Sequence, residues 1–114
     1  MSTAYSMPHH PIPFNLEKIN NGMEYNNGVF LILEPAYYRI VAHLKSRDNR
    51  LEYQIIKNSR EPLIYGSSMN AWDASSTYYT AYLVMYDMIS VELTTTATVG
   101  LASDANLVQI EKIH

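Results

Sequence analysis

Few residues of this 114-residue chain have the types and spacing that catalysis requires. Ser and Thr are plentiful, but there is no Gly-x-Ser-x-Gly elbow and no His with an evident acidic partner, so nucleophilic catalysis is not indicated. Gly-rich phosphate-binding loops are absent from the sequence as well. We therefore expect a protein that is not an enzyme.

The candidate metal ligands are scattered along the chain. His9 and His10 are neighbours without a third clustered ligand, a pattern more typical of a polar turn than of a metal site. Asp48, Asp73 and Asp104 all fall in expected loops, but no Asp-x-Asp spacing supports a calcium site. We therefore expect no cofactor and no metal, with calcium the one ion for which loop carboxylates are present.

Trp72 is the only tryptophan, and it stands in a stretch of small and polar residues, 66–76. A Trp in such a loop can be a stacking platform for a sugar or a protein. It can equally plug the end of a sandwich. Both interpretations remain open at this point, and Trp72 is the candidate ligand-binding residue.

Composition excludes several classes of function. The net charge is -3 and no basic stripe occurs, so nucleic acid is not an expected partner. The absence of cysteine excludes disulfides and cysteine-ligated zinc. The apolar runs are far shorter than the ~20 residues of a spanning helix, and no basic-then-apolar leader opens the chain. We expect one domain over residues 1–114, with no membrane partner and no signal peptide.

Turn signals divide the chain into strand-length segments, beginning with the dipeptides Asn21-Gly22 and Asn27-Gly28. The residues between 81 and 88 include good helix formers, but their β-branched and Tyr-rich flanks oppose a helix. Eight to ten short strands in one domain predict an all-β sandwich or barrel, for which a jelly roll is one of few arrangements. The expected strands are 29–33, 37–45, 51–57, 63–65, 77–85, 89–95 and 107–113, with a long loop at 66–76 and a tight turn at Asp87.

The two longest expected strands carry apolar side chains on both faces. In 37–45, alternation puts Tyr38, Ile40, Ala42 and Leu44 on one face and a mixed set on the other. A free second face would be a large apolar patch, which soluble monomers rarely carry. Loops could cover it, but we favour burial in an oligomer. The candidate interface residues are Tyr37, Val41, His43, Tyr78 and Tyr82.

Several short motifs resemble the C1q/TNF-like superfamily. Residues 11–15 (Pro-Ile-Pro-Phe-Asn), 25–30 and 35–40 resemble its Pro-x-x-Phe, Gly-Val-Phe and Gly-x-Tyr-x-Phe strands, and residues 2–6 resemble its first strand. Residues 55–59 and 86–91 resemble its Lys-Asn-Gly hairpin and its Gly-Asp-x-Val-x-Leu turn and strand. Ala36, Ser59 and Tyr86 stand where the family has Gly, a residue that suits positive φ.

The resemblance implies a homotrimer of jelly rolls in which one sheet of each subunit faces the threefold axis. Tyr38 and Ile40 would point into the sandwich, and Tyr37 and Val41 towards the axis. His43, expected to be structural, would then be repeated around the axis, where a pH-sensitive or anion-binding cluster is a further hypothesis.

The closing residues 105–113 resemble the end of the exosporium collagen-like glycoproteins of spore-forming bacilli, which also share Pro-x-Pro-Phe-Asn. This implies a non-catalytic trimerising head that is presented on a spore or cell surface. Other spore-surface proteins or a surface glycan would be its further partners. The alternative is a recognition module, a phage fibre tip or C1q-like lectin that binds glycan or protein through loops near Trp72. A TNF-like signalling ligand is a third hypothesis.

Overall fold

The computed structural model describes residues 4–5, 10–12, 23–45, 51–68, 74–94, 99–100 and 107–113. Within these ranges all regular structure is β-strand, as the turn signals predict. The described residues contain no helix long and apolar enough to span a membrane. The strands are β1 (Ala4–Tyr5), β2 (Met23–Asn26), β3 (Val29–Ile32), β4 (Ala36–Lys45), β5 (Leu51–Lys57), β6 (Glu61–Ser68), β7 (Ala74–Leu83), β8 (Met88–Leu93), β9 (Val99–Gly100) and β10 (Leu107–Ile113).

The strands form two main antiparallel sheets. The five-stranded sheet has the order β2-β3-β8-β5-β6, and the three-stranded sheet has the order β10-β4-β7. β1 and β9 form a separate short pair. The chain crosses between the two main sheets from β3 to β4, from β4 to β5, from β6 to β7 and from β7 to β8. The predicted two-sheet sandwich is therefore confirmed.

One hydrophobic core joins the facing sides of the two sheets. From β4 it takes the four residues expected to point inwards, Tyr38, Ile40, Ala42 and Leu44, and all four are fully buried. The five-stranded sheet supplies the opposite wall from alternate positions of its strands. The residues of that wall include Phe30, Ile32, Leu51, Tyr53, Ile55, Ile89, Val91 and Leu93.

The expected long loop at 66–76 is wrong, because β6 runs to Ser68 and β7 begins at Ala74. The cause is a polar contact inside the core. The buried Tyr53 hydroxyl lies 3.3 Å from both the Ser75 Oγ and the Thr77 Oγ1, so these small polar residues occupy inward strand positions. Their hydrogen-bonding groups are satisfied there, which makes their burial tolerable.

Other ends of the expected strands also differ from the structure, by one or two residues. β6 begins at Glu61 and includes Pro62, which the sequence placed in a turn. β6 is an edge strand, and Pro62 pairs with Ile56 at an irregularity in the register, where a missing N–H is tolerated. β7 ends at Leu83 rather than Met85, and β8 ends at Leu93 rather than Thr95.

Asp87 fixes the turn between β7 and β8, as expected. Its carboxylate accepts hydrogen bonds from the Val84 N–H at 2.9 Å and from the Asn58 side-chain amide at 3.1 Å. These contacts hold Tyr86 at φ 72°, and Ser59 of the neighbouring turn has φ 64°. Both positions thus keep a left-handed geometry without Gly, whereas Ala36 lies in β4 and has no positive φ.

Gly66 provides a direct test of the core packing. A Cβ at this position would overlap the Tyr53 ring, whose Cε1 would lie 2.6 Å away. The ring is buried and hydrogen-bonded, so Gly66→Ala should lower the free energy of unfolding by about 1–3 kcal/mol through overpacking. Chemical denaturation measures this change, with the exposed neighbour Ser67→Ala as the control. Equal stability of the two variants would contradict the described packing.

Candidate assembly face

The three-stranded sheet has an outer side, opposite the core, that we call the assembly face. Alternation turns Tyr37, Arg39, Val41 and His43 of β4 to this side. The register places each of them beside one residue of β7, namely Tyr82, Thr80, Tyr78 and Ser76. On the other flank, β10 places Ile113, Glu111 and Gln109 beside Tyr37, Arg39 and Val41.

Aromatic rings occupy much of the assembly face. In the single chain Tyr37, Tyr78 and Tyr82 are 59%, 68% and 52% exposed. The rings of Tyr37 and Tyr82 meet edge to face, with centroids 5.1 Å apart. Ile113 adds a further exposed apolar side chain. The face therefore leaves a large apolar area in contact with water when the chain is alone.

Five polar side chains of the assembly face are paired within the chain. Arg39 donates to the Glu111 carboxylate at 2.6 Å, and Gln109 donates to the other oxygen of the same carboxylate at 2.7 Å. His43 Nδ1 and the Ser76 Oγ are 2.6 Å apart. Because the charged groups Arg39 and Glu111 already pair with each other, a second surface could cover the face without burying an uncompensated charge.

All five predicted interface residues lie on the assembly face, which agrees with the alternation that selected them. Their role at a subunit interface stays a prediction. The alternation in 37–45 places Arg39 on this face without making it an interface candidate, and sequence reasoning missed Gln109, Glu111 and Ile113. The alternation of buried Val108 and Ile110 with these outward residues in 107–113 is a pattern that would have found the last three.

None of the other candidate residues is found on the assembly face of the described structure. Trp72, His9 and the three loop aspartates Asp48, Asp73 and Asp104 lie outside the described residues. His10 is exposed. Among the residues that the structure describes, no group of three or more His, Asp or Glu side chains is close enough to hold a metal ion.

An ion pair links β10 to the turn before β4, at the rim of the sandwich. The Lys112 ammonium donates to the Glu34 carboxylate at 2.8 Å, while the Tyr38 hydroxyl donates to the Glu34 main-chain oxygen at 2.7 Å. The hydrogen bond and charge of Lys112 lower the pKa of the Glu34 carboxyl, and Glu34 in turn raises the pKa of Lys112. Burial raises the pKa of Tyr38.

Comparison with solved structures shows which known fold this chain shares. No family model and no curated protein matches the sequence. Among solved structures, the globular domain of zebrafish complement 1qA aligns with a TM-score of 0.77 at 19% identity, over 100% of this chain and 92% of that one. Murine APRIL aligns with a TM-score of 0.75 at 15% identity, over 98% of this chain and 88% of that one. The Eiger TNF of S. frugiperda aligns with a TM-score of 0.72 at 10% identity, over 81% of this chain and 69% of that one. The predicted C1q/TNF-like jelly roll is therefore confirmed as the fold.

Acid should weaken the fold in part through Glu34. Because its pKa is lower in the folded chain, the ionised carboxylate stabilises the fold at neutral pH, and this contribution is lost as the pH falls through the folded-state pKa. Lys112→Met removes the partner. Its melting temperature should therefore fall less than that of the wild type between about pH 6 and pH 3.

The matched control is Lys57→Met, which removes the looser 3.7 Å pair with Glu61 and should keep the acid profile of the wild type. The effect is small, since the Glu34–Lys112 pair is at the surface. Identical acid profiles for Lys112→Met and the wild type would show that the ion pair does not contribute.

Proposed function

We propose that this chain is a non-catalytic domain that assembles as a homotrimer through its assembly face. One observation carries the proposal: the three-stranded sheet is fully packed on its inner side and still exposes Tyr37, Tyr78 and Tyr82 on its outer side. Soluble monomers rarely leave such an area uncovered. The motif resemblance and the shared fold support threefold symmetry, with this sheet facing the axis.

Burial of the exposed tyrosine rings favours assembly through this face. Full burial of a large apolar side chain contributes about 1.5–3 kcal/mol, and rings that are already half covered gain roughly half of that. Three rings from each of three subunits therefore contribute on the order of 10 kcal/mol, which is comparable with the lower estimates, about 8 kcal/mol, for the two association steps that a trimer requires. The Arg39–Glu111 pair enters the interface already neutralised, which limits the cost of its desolvation.

The finer proposal concerns where the trimer is presented. The resemblance of residues 105–113 and 11–15 to exosporium collagen-like glycoproteins supports a head domain on a spore or cell surface. Neighbouring surface proteins would then be its partners. Antibodies against the domain should label the outside of intact spores or cells of the source organism in immunogold microscopy. Label found only inside the cell would contradict the surface assignment.

A pair of tyrosine variants tests the assembly. Tyr78 and Tyr65 are both 68% exposed, but Tyr78 is on the assembly face and Tyr65 is on the five-stranded sheet. Tyr78→Glu forces an unpaired charge into each contact, at a cost of several kcal/mol per subunit, and should yield folded monomers. Val41→Glu should act in the same way, whereas Tyr65→Glu should remain trimeric.

Sedimentation equilibrium gives the mass of each variant, and circular dichroism shows that each is folded. The wild type and Tyr65→Glu should have three times the mass of one chain. A folded, trimeric Tyr78→Glu would refute the role of this face in assembly. A monomeric wild type would refute the trimer itself.

A further inference from the structure

The five-stranded sheet carries a cavity of about 340 Å³ at the end where β5, β6 and β8 lie side by side. Such a volume is within the range of small-molecule sites. The cavity lies on the sheet that the proposed trimer leaves free, so its occupancy does not depend on assembly. Its lining residues are Glu52, Tyr53, Tyr65, Gly66, Ser67 and Thr94.

Strands β5 and β6 and the residue that follows β8 place a row of polar groups along this cavity. Ser67 of β6 is the register partner of Glu52 of β5, and the Thr94 N–H donates to the Glu52 main-chain oxygen at 2.9 Å. Neighbouring strands are about 4.8 Å apart, so a hydroxyl, a carboxylate and a second hydroxyl span about 10 Å. That distance matches the width of one hexose ring with its hydroxyl groups.

An aromatic ring forms the side of the cavity. Tyr65 lies two positions before Ser67 in β6, and alternation therefore directs both to the same side of the sheet. Its side chain is largely exposed. A phenol ring that stands open beside a row of hydroxyl and carboxylate groups can stack on the C–H face of a sugar while those groups bond its hydroxyls.

The base of the cavity is held rigidly. Tyr53 is buried beneath it and packs over Gly66 of the next strand, where no side chain larger than hydrogen fits. Contacts of its hydroxyl with Ser75 and Thr77 tie this position to the opposite sheet. A polar row on a fixed base is preorganised, which lowers the entropic cost of binding.

We propose that this cavity binds a neutral saccharide, with Tyr65 stacking on the sugar ring and Glu52 accepting hydrogen bonds from adjacent sugar hydroxyls. Ser67 and Thr94 supply hydroxyl groups on either side. Among the described residues, the cavity lining includes one carboxylate, that of Glu52, and no Lys or Arg, and Glu92 lies on the same side of β8 beside Gln54 of β5. Acidic sugars and phosphate esters are therefore disfavoured by charge repulsion.

The test uses the methyl glycosides of glucose, galactose, mannose and N-acetylglucosamine as probes, with glucuronic acid as the acidic counterpart. In ¹H–¹⁵N NMR titrations of the full chain, at least one neutral glycoside should shift the amides around Glu52, Ser67 and Thr94 saturably. The expected dissociation constant is on the order of 1 mM. Glucuronic acid should leave these amides unshifted.

Tyr65→Ala and Glu52→Gln should each weaken that binding by roughly tenfold, whereas Tyr65→Phe should retain it. The matched control is Tyr86→Ala, which removes a ring that is 67% exposed at the turn between β7 and β8. The monomeric Tyr78→Glu variant should bind the glycoside like the wild type. Saccharide binding and trimer formation can therefore be tested independently of each other. Three outcomes would overturn it: no neutral glycoside shifts these amides, binding is unchanged in Tyr65→Ala, or glucuronic acid binds as well.

Discussion

The structure depends on a strand, β4, whose two sides must both be kept from water. Its inner side closes the sandwich core with four fully buried residues, among them Tyr38 and Ile40. Its outer side continues the apolar character with Tyr37 and Val41, next to tyrosines of β7. A single chain satisfies only the first of these demands. The proposed trimer satisfies the second, and the subunit fold and its assembly are then consequences of the same alternating pattern.

The two sheets thereby take separate roles. The three-stranded sheet has an outer side of rings with an internally paired Arg39–Glu111 bridge, which suits burial against copies of itself. The five-stranded sheet has an outer side with carboxylates, hydroxyls and the open ring of Tyr65, which suits a hydrated ligand. Were both proposals correct, a trimer would present three equivalent saccharide sites on its outside, and weak single-site affinity would be raised by multivalency.

Much of the fold follows from the sequence because β-strand alternation is local. The inner face of β4 and the turn fixed by Asp87 were both predictable in this way. The length of β7 was not, since Ser75 and Thr77 carry no apolar signal, and their inward placement depends on the distant hydroxyl of Tyr53. The cavity was equally hidden, because strand pairing between separate parts of the chain brings its lining together. Sequence reasoning instead selected Trp72, which lies outside the described residues.

The central claim is that the assembly face is covered in solution. Hydroxyl-radical footprinting read by mass spectrometry tests it ring by ring in the wild-type chain, since all five tyrosines compared are at least half exposed in a single chain. Our account predicts that Tyr37, Tyr78 and Tyr82 are protected, while Tyr65 and Tyr86 react freely, and that dilution to concentrations at which the trimer dissociates removes the protection. Equal reactivity of all five rings at high protein concentration would contradict it.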